Sequence, residues 1–432
     1  MAEMYFQDNT IMEATVDTYT QELIDWFDRK SYMEENALSK TTQELWYSHY
    51  LEKKRLEKRG ISTHHVQYEH VPYNVGAEPE TVCFYGVDGK YQTCDVSRMT
   101  MLDIRYFREG LLLGQEKVKR DIAYYIVSAK NAQGQYICPN CGAEQSLEKL
   151  LDGCDHCNTK FDISAYEDKI ASVNRNKNRF GDRETNGAVF VWIILGVIAL
   201  MLAGVCFVMG IGSLFHCFTA FFVSPLYAVL GLLFAAFCFI GGFACLIPVI
   251  GVVWAATKSN SKAIHNTMMK AELSKANPDF SFEAFVSGLD CKIKSIHYAE
   301  DASEVAVFVK CDIAPYVEAN KTVISCEPGK IEMSNYRQEG DFQYIDVNRE
   351  IRVMNDCGNH VEWAGGTIAL TLAKKKEYKL KNEINLYTCP NCGASVSLVE
   401  GGKCKYCDSE IDYAAYDWIV TKYEIVKEEN KK

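Results

Sequence analysis

The chain is 432 residues long, carries a net charge of -11, and is 24% charged and 12% aromatic. That length accommodates two modest domains, and the composition excludes a disordered tail. The negative charge argues against nucleic acid as the main partner, because neutralising phosphates requires a basic surface.

In chain order, the first expected element is a helix over Ile11 to Phe27, with Met12, Val16, Tyr19 and Leu23 on one stripe. A second helix is expected from Thr41, where Thr41-Thr-Gln-Glu44 reads as a capping box. Its face is Trp46, Tyr47, Tyr50 and Leu51, and Gly60 suits its C-cap. Extended segments follow at His64 to Val71, Thr81 to Val87, Lys90 to Ile104 and Val118 to Lys130, with a hairpin turn at Asp88-Gly89. Helices followed by antiparallel strands predict an α+β cone over residues 1–135. His64, His65 and His70 are read as exposed strand residues rather than a base pair or metal site.

Cysteines come next. Cys138-Pro-Asn-Cys141-Gly142 and Cys154-Asp-His-Cys157 have the spacing of two metal knuckles, and residues 136–172 read as a zinc ribbon. A two-residue spacer lets one tight turn aim both sulfurs at one ion. The chain repeats the pattern at Cys389-Pro-Asn-Cys392-Gly393 and Cys404-Lys-Tyr-Cys407, a second ribbon over 387–424. Tyr136 and Tyr387, Ser146-Leu147 and Ser397-Leu398, and Ala165-Tyr166 and Ala415-Tyr416 recur at matching offsets, which marks an internal duplication. Four thiolates per ion leave no open position, so the expected cofactors are two structural Zn2+ ions. His156 is a possible spare ligand, but its counterpart is Tyr406, which favours the all-cysteine set. Met1 to Thr10 has no apolar signal core, so these thiols are expected in a reducing compartment. The remaining cysteines read as mostly buried free thiols, with Cys83 and Cys94 facing across the hairpin.

Between the ribbons, Thr185 to Thr257 contains no Asp, Glu, Lys or Arg. A spanning helix needs about 20 apolar residues, so residues 188–256 predict a two-helix transmembrane hairpin, Ala188 to Ile211 and Leu226 to Trp254, joined by a loop from Gly212 to Pro225. Linkers flank it at 173–187, which is basic, and 257–279. Lys169, Arg175, Lys177, Arg179 and Arg183 precede the hairpin, while Lys258, Lys262 and Lys270 follow it. That bias places both termini in the cytoplasm. A second, partial α+β cone is expected at 280–386, with a helix over Phe280 to His297 and strands at Thr322 to Cys326, Lys330 to Tyr336, Phe342 to Met354 and Val361 to Leu372. Asp301 and Glu304 are read as facing solvent, and residues 425–432 as a charged tail.

The tail Tyr387-Thr-Cys-Pro-Asn-Cys-Gly-Ala through Ala415-Tyr-Asp-Trp-Ile419 resembles the end of bacterial Tim-forty-four-like proteins with zinc ribbons. Trp26, Asp28, Thr42, Leu45, His49, Leu56 and Gly60 look like the helical half of that family. The resemblance covers the ribbons specifically and most of the remaining soluble chain weakly. It implies a nuclear-transport-factor-two-like cone with an apolar pocket, and mitochondrial relatives tether a chaperone motor to a translocase. This chain departs in carrying two such units around a central hairpin.

The expected function is a membrane-anchored, cytosol-facing binding scaffold, associated with transport or translocation, in the bacterial plasma membrane. Its partners would be the lipid bilayer and a protein segment or lipid held in a cone. An enzyme using the cone pocket is the alternative, although no catalytic motif is present and fold alone supplies no chemistry. Nucleic-acid binding by the ribbons is disfavoured, since Lys403 and Lys405 are matched by Gly153 and Asp155.

Overall fold

A computed structural model of the chain describes residues 9–28, 38–68, 80–87, 91–99, 101–118, 121–128, 135–138, 141–158, 160, 166–175, 185–221, 225–277, 280–376, 387–389, 391, 395–396, 403–404 and 406–429. The elements are α1 (Asn9–Asp28), α2 (Gln43–Lys58), β1 (Ile61–Tyr68), β2 (Glu80–Val87), β3 (Tyr91–Met99), β4 (Met101–Arg108), β5 (Leu111–Val118) and β6 (Asp121–Ser128). The first cysteine module contributes β7 (Tyr136–Ile137), β8 (Glu144–Gln145) and α3 (Leu147–Asp152), and β9 (Lys169–Asn174) follows. Two long helices, α4 (Thr185–Ala220) and α5 (Pro225–Ala276), lead to α6 (Phe282–Tyr298) and α7 (Ala314–Ala319). The chain closes with β10 (Val323–Glu339), β11 (Phe342–Asp356), β12 (Val361–Lys375), β13 (Tyr387–Thr388), β14 (Ser395–Val396) and β15 (Ile419–Glu429). The protein is a mixed α+β structure whose sheets are antiparallel.

Local chemistry explains these elements. In α1, Val16, Tyr19, Leu23 and Trp26 are buried at three- and four-residue intervals, the period of one helix face. Thr42 caps α2 by accepting from Leu45 N–H at 3.4 Å, one residue later than the Thr41 expected from sequence. Gly60, at φ +66°, turns the chain out of that helix. Residues 88–90 lie outside the described set, but β2 and β3 pair antiparallel with Val87 opposite Tyr91, as a hairpin requires. That register sets Phe84 opposite Cys94 and Cys83 opposite Asp95, so the two cysteines are not cross-strand partners. A second hairpin went unseen in the sequence: Glu109 and Gly110, both at positive φ, join β4 to β5.

Two cone domains flanking the membrane segment were expected. The structure instead packs Met1–Phe180 and Met269–Lys432 into one compact unit, with Gly181–Met268 as a second. The reason is a shared core: Tyr47 and Leu51 of α2 lie in one apolar cluster with Phe285, Leu289, Ile293 and Ile296 of α6. Fully buried Arg55 secures the join, donating to the carbonyls of Asn320 at 2.6 Å and Ala299 at 2.6 Å and pairing with Glu300. Within the carboxy-terminal flank, buried Asp290 and Arg349 tie α6 to β11, with Nη2 at 2.7 and 2.9 Å from the two carboxylate oxygens.

Within this unit the duplication extends into the scaffold. One sheet has the order β2-β3-β6-β9 and another β10-β11-β12-β15. In each, a cysteine module is inserted before the last strand, which returns antiparallel to the third. The second residue of each returning strand makes an isolated parallel bridge, Ile170 to Thr41 and Val420 to Val309. Each bridge precedes a helix, α2 in the first half and the six-residue α7 in the second.

Boundaries shift accordingly. Residues 169–174 and 419–429 are sheet strands rather than parts of ribbons or a charged tail, because each completes a four-stranded sheet. The expected strands at 322–326 and 330–336 merge into β10, which absorbs the interruption as a register shift between Pro328 and Ile331. In the second unit, α4 continues through Gly212, Ser213 and His216 to Ala220, so the connection is shorter than predicted. One glycine costs a helix only about 1 kcal/mol, too little to break an uncharged run. The expected linker at 257–279 is helical through Ala276, because Lys, Ala, Glu and Met there favour helix. Cys217 and Cys238 are buried, consistent with packing residues.

Candidate metal centres

The first module brings Cys138, Cys141, Cys154 and Cys157 together with all four sulfurs within 4.8 Å of one another. Cys138 and Cys157 are 3.6 Å apart, as are Cys141 and Cys154. Zinc–sulfur bonds of about 2.3 Å place tetrahedral ligands about 3.8 Å apart, whereas a disulfide needs about 2.05 Å. The sulfurs therefore fit a tetrahedral ion and are not joined as disulfides.

Two turns build this geometry. Gly142 N–H donates to Cys138 O at 2.9 Å, and Cys138 N–H donates to Ala143 O at 2.9 Å. Gly142 sits at φ +75°, a conformation that costs glycine little and other residues more. On the other knuckle, Asn158 N–H donates to Cys154 O at 2.8 Å, with Asn158 at φ +56°. Cys138 and Cys154 are fully buried beneath Leu150 and Tyr166, and Tyr136 meets the Tyr166 ring edge-on at 6.0 Å. Burial, then the neighbouring sulfurs, raises the Tyr166 phenol so that it stays protonated. His156 is exposed and stands outside the sulfur cluster, which leaves four thiolates as the donor set.

The second module repeats the construction with one residue fewer between its two cysteine pairs. Cys389, Cys404 and Cys407 lie within 4.8 Å of one another, with Cys389 and Cys407 at 3.5 Å. Cys392 lies outside the described residues. Asp408 N–H donates to Cys404 O at 2.8 Å, and Asp408 takes φ +55°, in the place of Asn158. Strands β13 and β14 start two residues before and six residues after Cys389, as β7 and β8 do around Cys138. Buried Tyr416 stands in the place of Tyr166.

No protein-family model, curated protein or solved structure matches this chain. The chemistry of these centres therefore rests on their geometry. A bound zinc ion would hold each pair of knuckles closed, and metal ligation can supply on the order of 10 kcal/mol to a module too small to fold alone.

Other residues singled out from sequence have structural roles. His65 is buried and its ring meets Asp28 at 2.7 Å, contrary to the expectation of an exposed strand residue, while His64 is exposed and His70 lies outside the described residues. Burial opposes ionisation of Asp28, but the His65 hydrogen bonds outweigh it and hold the carboxyl below its usual range. Asp301 and Glu304 form the capping box of a short 3-10 helix, and Glu304 also pairs with Lys54 instead of facing solvent.

Sequence reasoning missed a group of buried charges. Arg175, counted as a membrane-flanking charge, reaches Glu116 at 3.6 Å and Glu327 at 4.0 Å. Lys294 is 3.6 Å from Glu327, and nearby His49 lies 3.3 Å from Glu52 and 2.9 Å from Tyr19 OH. Burial pushes the Glu116 carboxyl up to about 7 despite Arg175. One oxygen each of Glu116 and Glu327 is buried without a hydrogen-bond partner. Nothing local in the sequence marks this group, because its members come from both flanks.

Proposed function

We propose that the chain is a membrane-anchored binding scaffold whose two flanks face the cytosol, braced by two structural zinc ribbons. The carrying observation is that both flanks share one packed core. A bilayer cannot pass between parts of one core, so a chain that leaves through α4 must return through α5. Among the described residues, Ala199–Thr219 is long and apolar enough to cross a membrane, and Val229–Ala244 is apolar but shorter. Exposed Leu200, Met201, Val208, Phe215, Phe237 and Phe243 support lipid contact, since soluble surfaces rarely gather so much apolar area. The uncharged sequence beyond Ala244 supports α5 as the second crossing. Helix-covered antiparallel sheets with inserted ribbons support the proposed likeness to Tim-forty-four-like proteins.

Sealed, oriented membrane vesicles test the anchor. Tags at the two termini should be labelled together from the cytosolic face and resist carbonate extraction. Labelling from opposite faces would overturn the topology. Mass spectrometry of the protein isolated from native membranes should find a bound protein segment or lipid, and turnover of a metabolite with neither bound would contradict the scaffold reading.

A second reading rests on the buried Glu116–Arg175–Glu327 group, whose raised carboxyl and carboxylate oxygens without a hydrogen bond suit a small polar ligand or acid–base work. Native mass spectrometry should then show a small ligand that Glu116→Gln loses. Identical spectra would remove this reading.

A further inference from the structure

The turn between β11 and β12 carries a donor set of a different kind from the quartets. Cys357, His360 and Glu362 each present one ligand atom there, and the three atoms lie within 4.8 Å of one another at the protein surface. Cys357-Gly-Asn-His360 has the two-residue spacer of a metal knuckle, with imidazole in place of the second thiol. Cys357 N–H donates to His360 O at 2.9 Å, and Gly358 takes φ +93°, so the backbone folds both side chains toward one side. His360 Nε2 lies 3.0 Å from Glu362 Oε1, and its Nδ1 lies 2.7 Å from Asn359 Oδ1.

This turn is clamped in place. Asp356 accepts from Arg59 Nε at 2.6 Å, from Arg108 Nη2 at 2.5 Å and from Gly358 N–H at 2.9 Å. Arg108 Nη1 also donates to Gly358 O at 2.5 Å. Both arginines belong to the amino-terminal flank, so the join between flanks fixes the loop that carries the donors. Preorganised ligands of this kind forfeit little ordering entropy when an ion binds.

We propose that Cys357, His360 and Glu362 form a third metal site, for a borderline divalent cation such as zinc. The thiol and imidazole disfavour calcium and magnesium, which take oxygen ligands. Three protein donors leave one tetrahedral position for water or another ligand, whereas a thiolate quartet is closed. The site is exposed, so its ion exchanges with solution while the quartets retain theirs. It does not depend on the scaffold function or on how the quartets are filled.

Equilibrium dialysis of the full chain in detergent against zinc tests the site. Wild type should carry one more zinc per chain than the Cys357→Ser, His360→Ala double variant, with both quartets intact in each protein. All three donors are exposed, so thermal midpoints without added zinc should agree. Equal loading would overturn the site. In a parallel titration, cobalt should give wild type a thiolate-to-metal absorption band in excess of that in Cys357→Ser. Extra loading without that excess would overturn the role of Cys357.

Discussion

Buried Arg55 ties the two flanks of this chain together. His297, inside the carboxy-terminal flank, shows the energetic consequence of burying a titratable group most clearly. It is fully enclosed between Ile293 O at 2.8 Å and Tyr423 OH at 3.5 Å. Burial, opposed by the Ile293 hydrogen bond, lowers its pKa from about 6.5 to about 4. The native state thus binds the proton less readily than the unfolded chain. Its contribution is complete above about pH 6.5 and is lost as pH falls toward 4, by on the order of 3 kcal/mol. Thermal unfolding followed across this window should show the loss, and His297→Gln should flatten that part of the profile. The same residue shows where the sequence stopped being informative. Nothing in Lys294-Ser-Ile-His297 distinguishes a buried imidazole from an exposed one. Its enclosure depends on Tyr423, which lies 126 residues further on. His65 was misjudged for the same reason, because its partner Asp28 comes from another element.

Elements with a strong local signal were legible. The three-and-four spacing of Val16, Tyr19 and Leu23 announced α1, and Phe285, Leu289 and Ile293 announced α6. Two CxxC pairs at fixed spacing predicted the sulfur clusters, since the knuckle turn is encoded within a few residues. Register, in contrast, depends on partners elsewhere in the chain, so β9 and β15 were assigned to the ribbons and tail. The helices of the second unit illustrate both cases. Their uncharged run was plain, while their packing rests on single positions. A Cβ added to Gly242 would lie 3.1 Å from the Phe207 ring, whereas Gly204 has nothing within 4 Å. Phe207 also meets Phe243 edge-on at 5.3 Å. Gly242→Leu should therefore cost about 1–3 kcal/mol through overpacking, and Gly204→Leu should be close to neutral. Thermal midpoints of the two variants in detergent check this contrast.

At the scale of the whole molecule, the duplicated pattern and the single shared core belong together. Each half supplies a four-stranded sheet with a cysteine module inserted before its last strand. After its bridge to the returning strand the first half carries the 16-residue α2, and the second the six-residue α7. The long α2 of one half packs against α6 of the other through Tyr47 and Leu51. The sequence displayed the duplication through its cysteines but not this interlocking, which involves residues more than 200 positions apart. Two separated cones were the natural expectation from local pattern, and side-chain complementarity across the flanks replaced them with one body. In the proposed membrane topology, that single body keeps both cysteine modules on one side of the bilayer.

The most direct test of the account is the zinc content of the full-length protein after gel filtration in a mild chelator, which strips exposed sites but not closed quartets. Wild type should retain two zinc ions per chain, Cys138→Ser with Cys154→Ser should retain one, and Cys389→Ser with Cys404→Ser should retain one. Wild type that emerges folded with no zinc would contradict it.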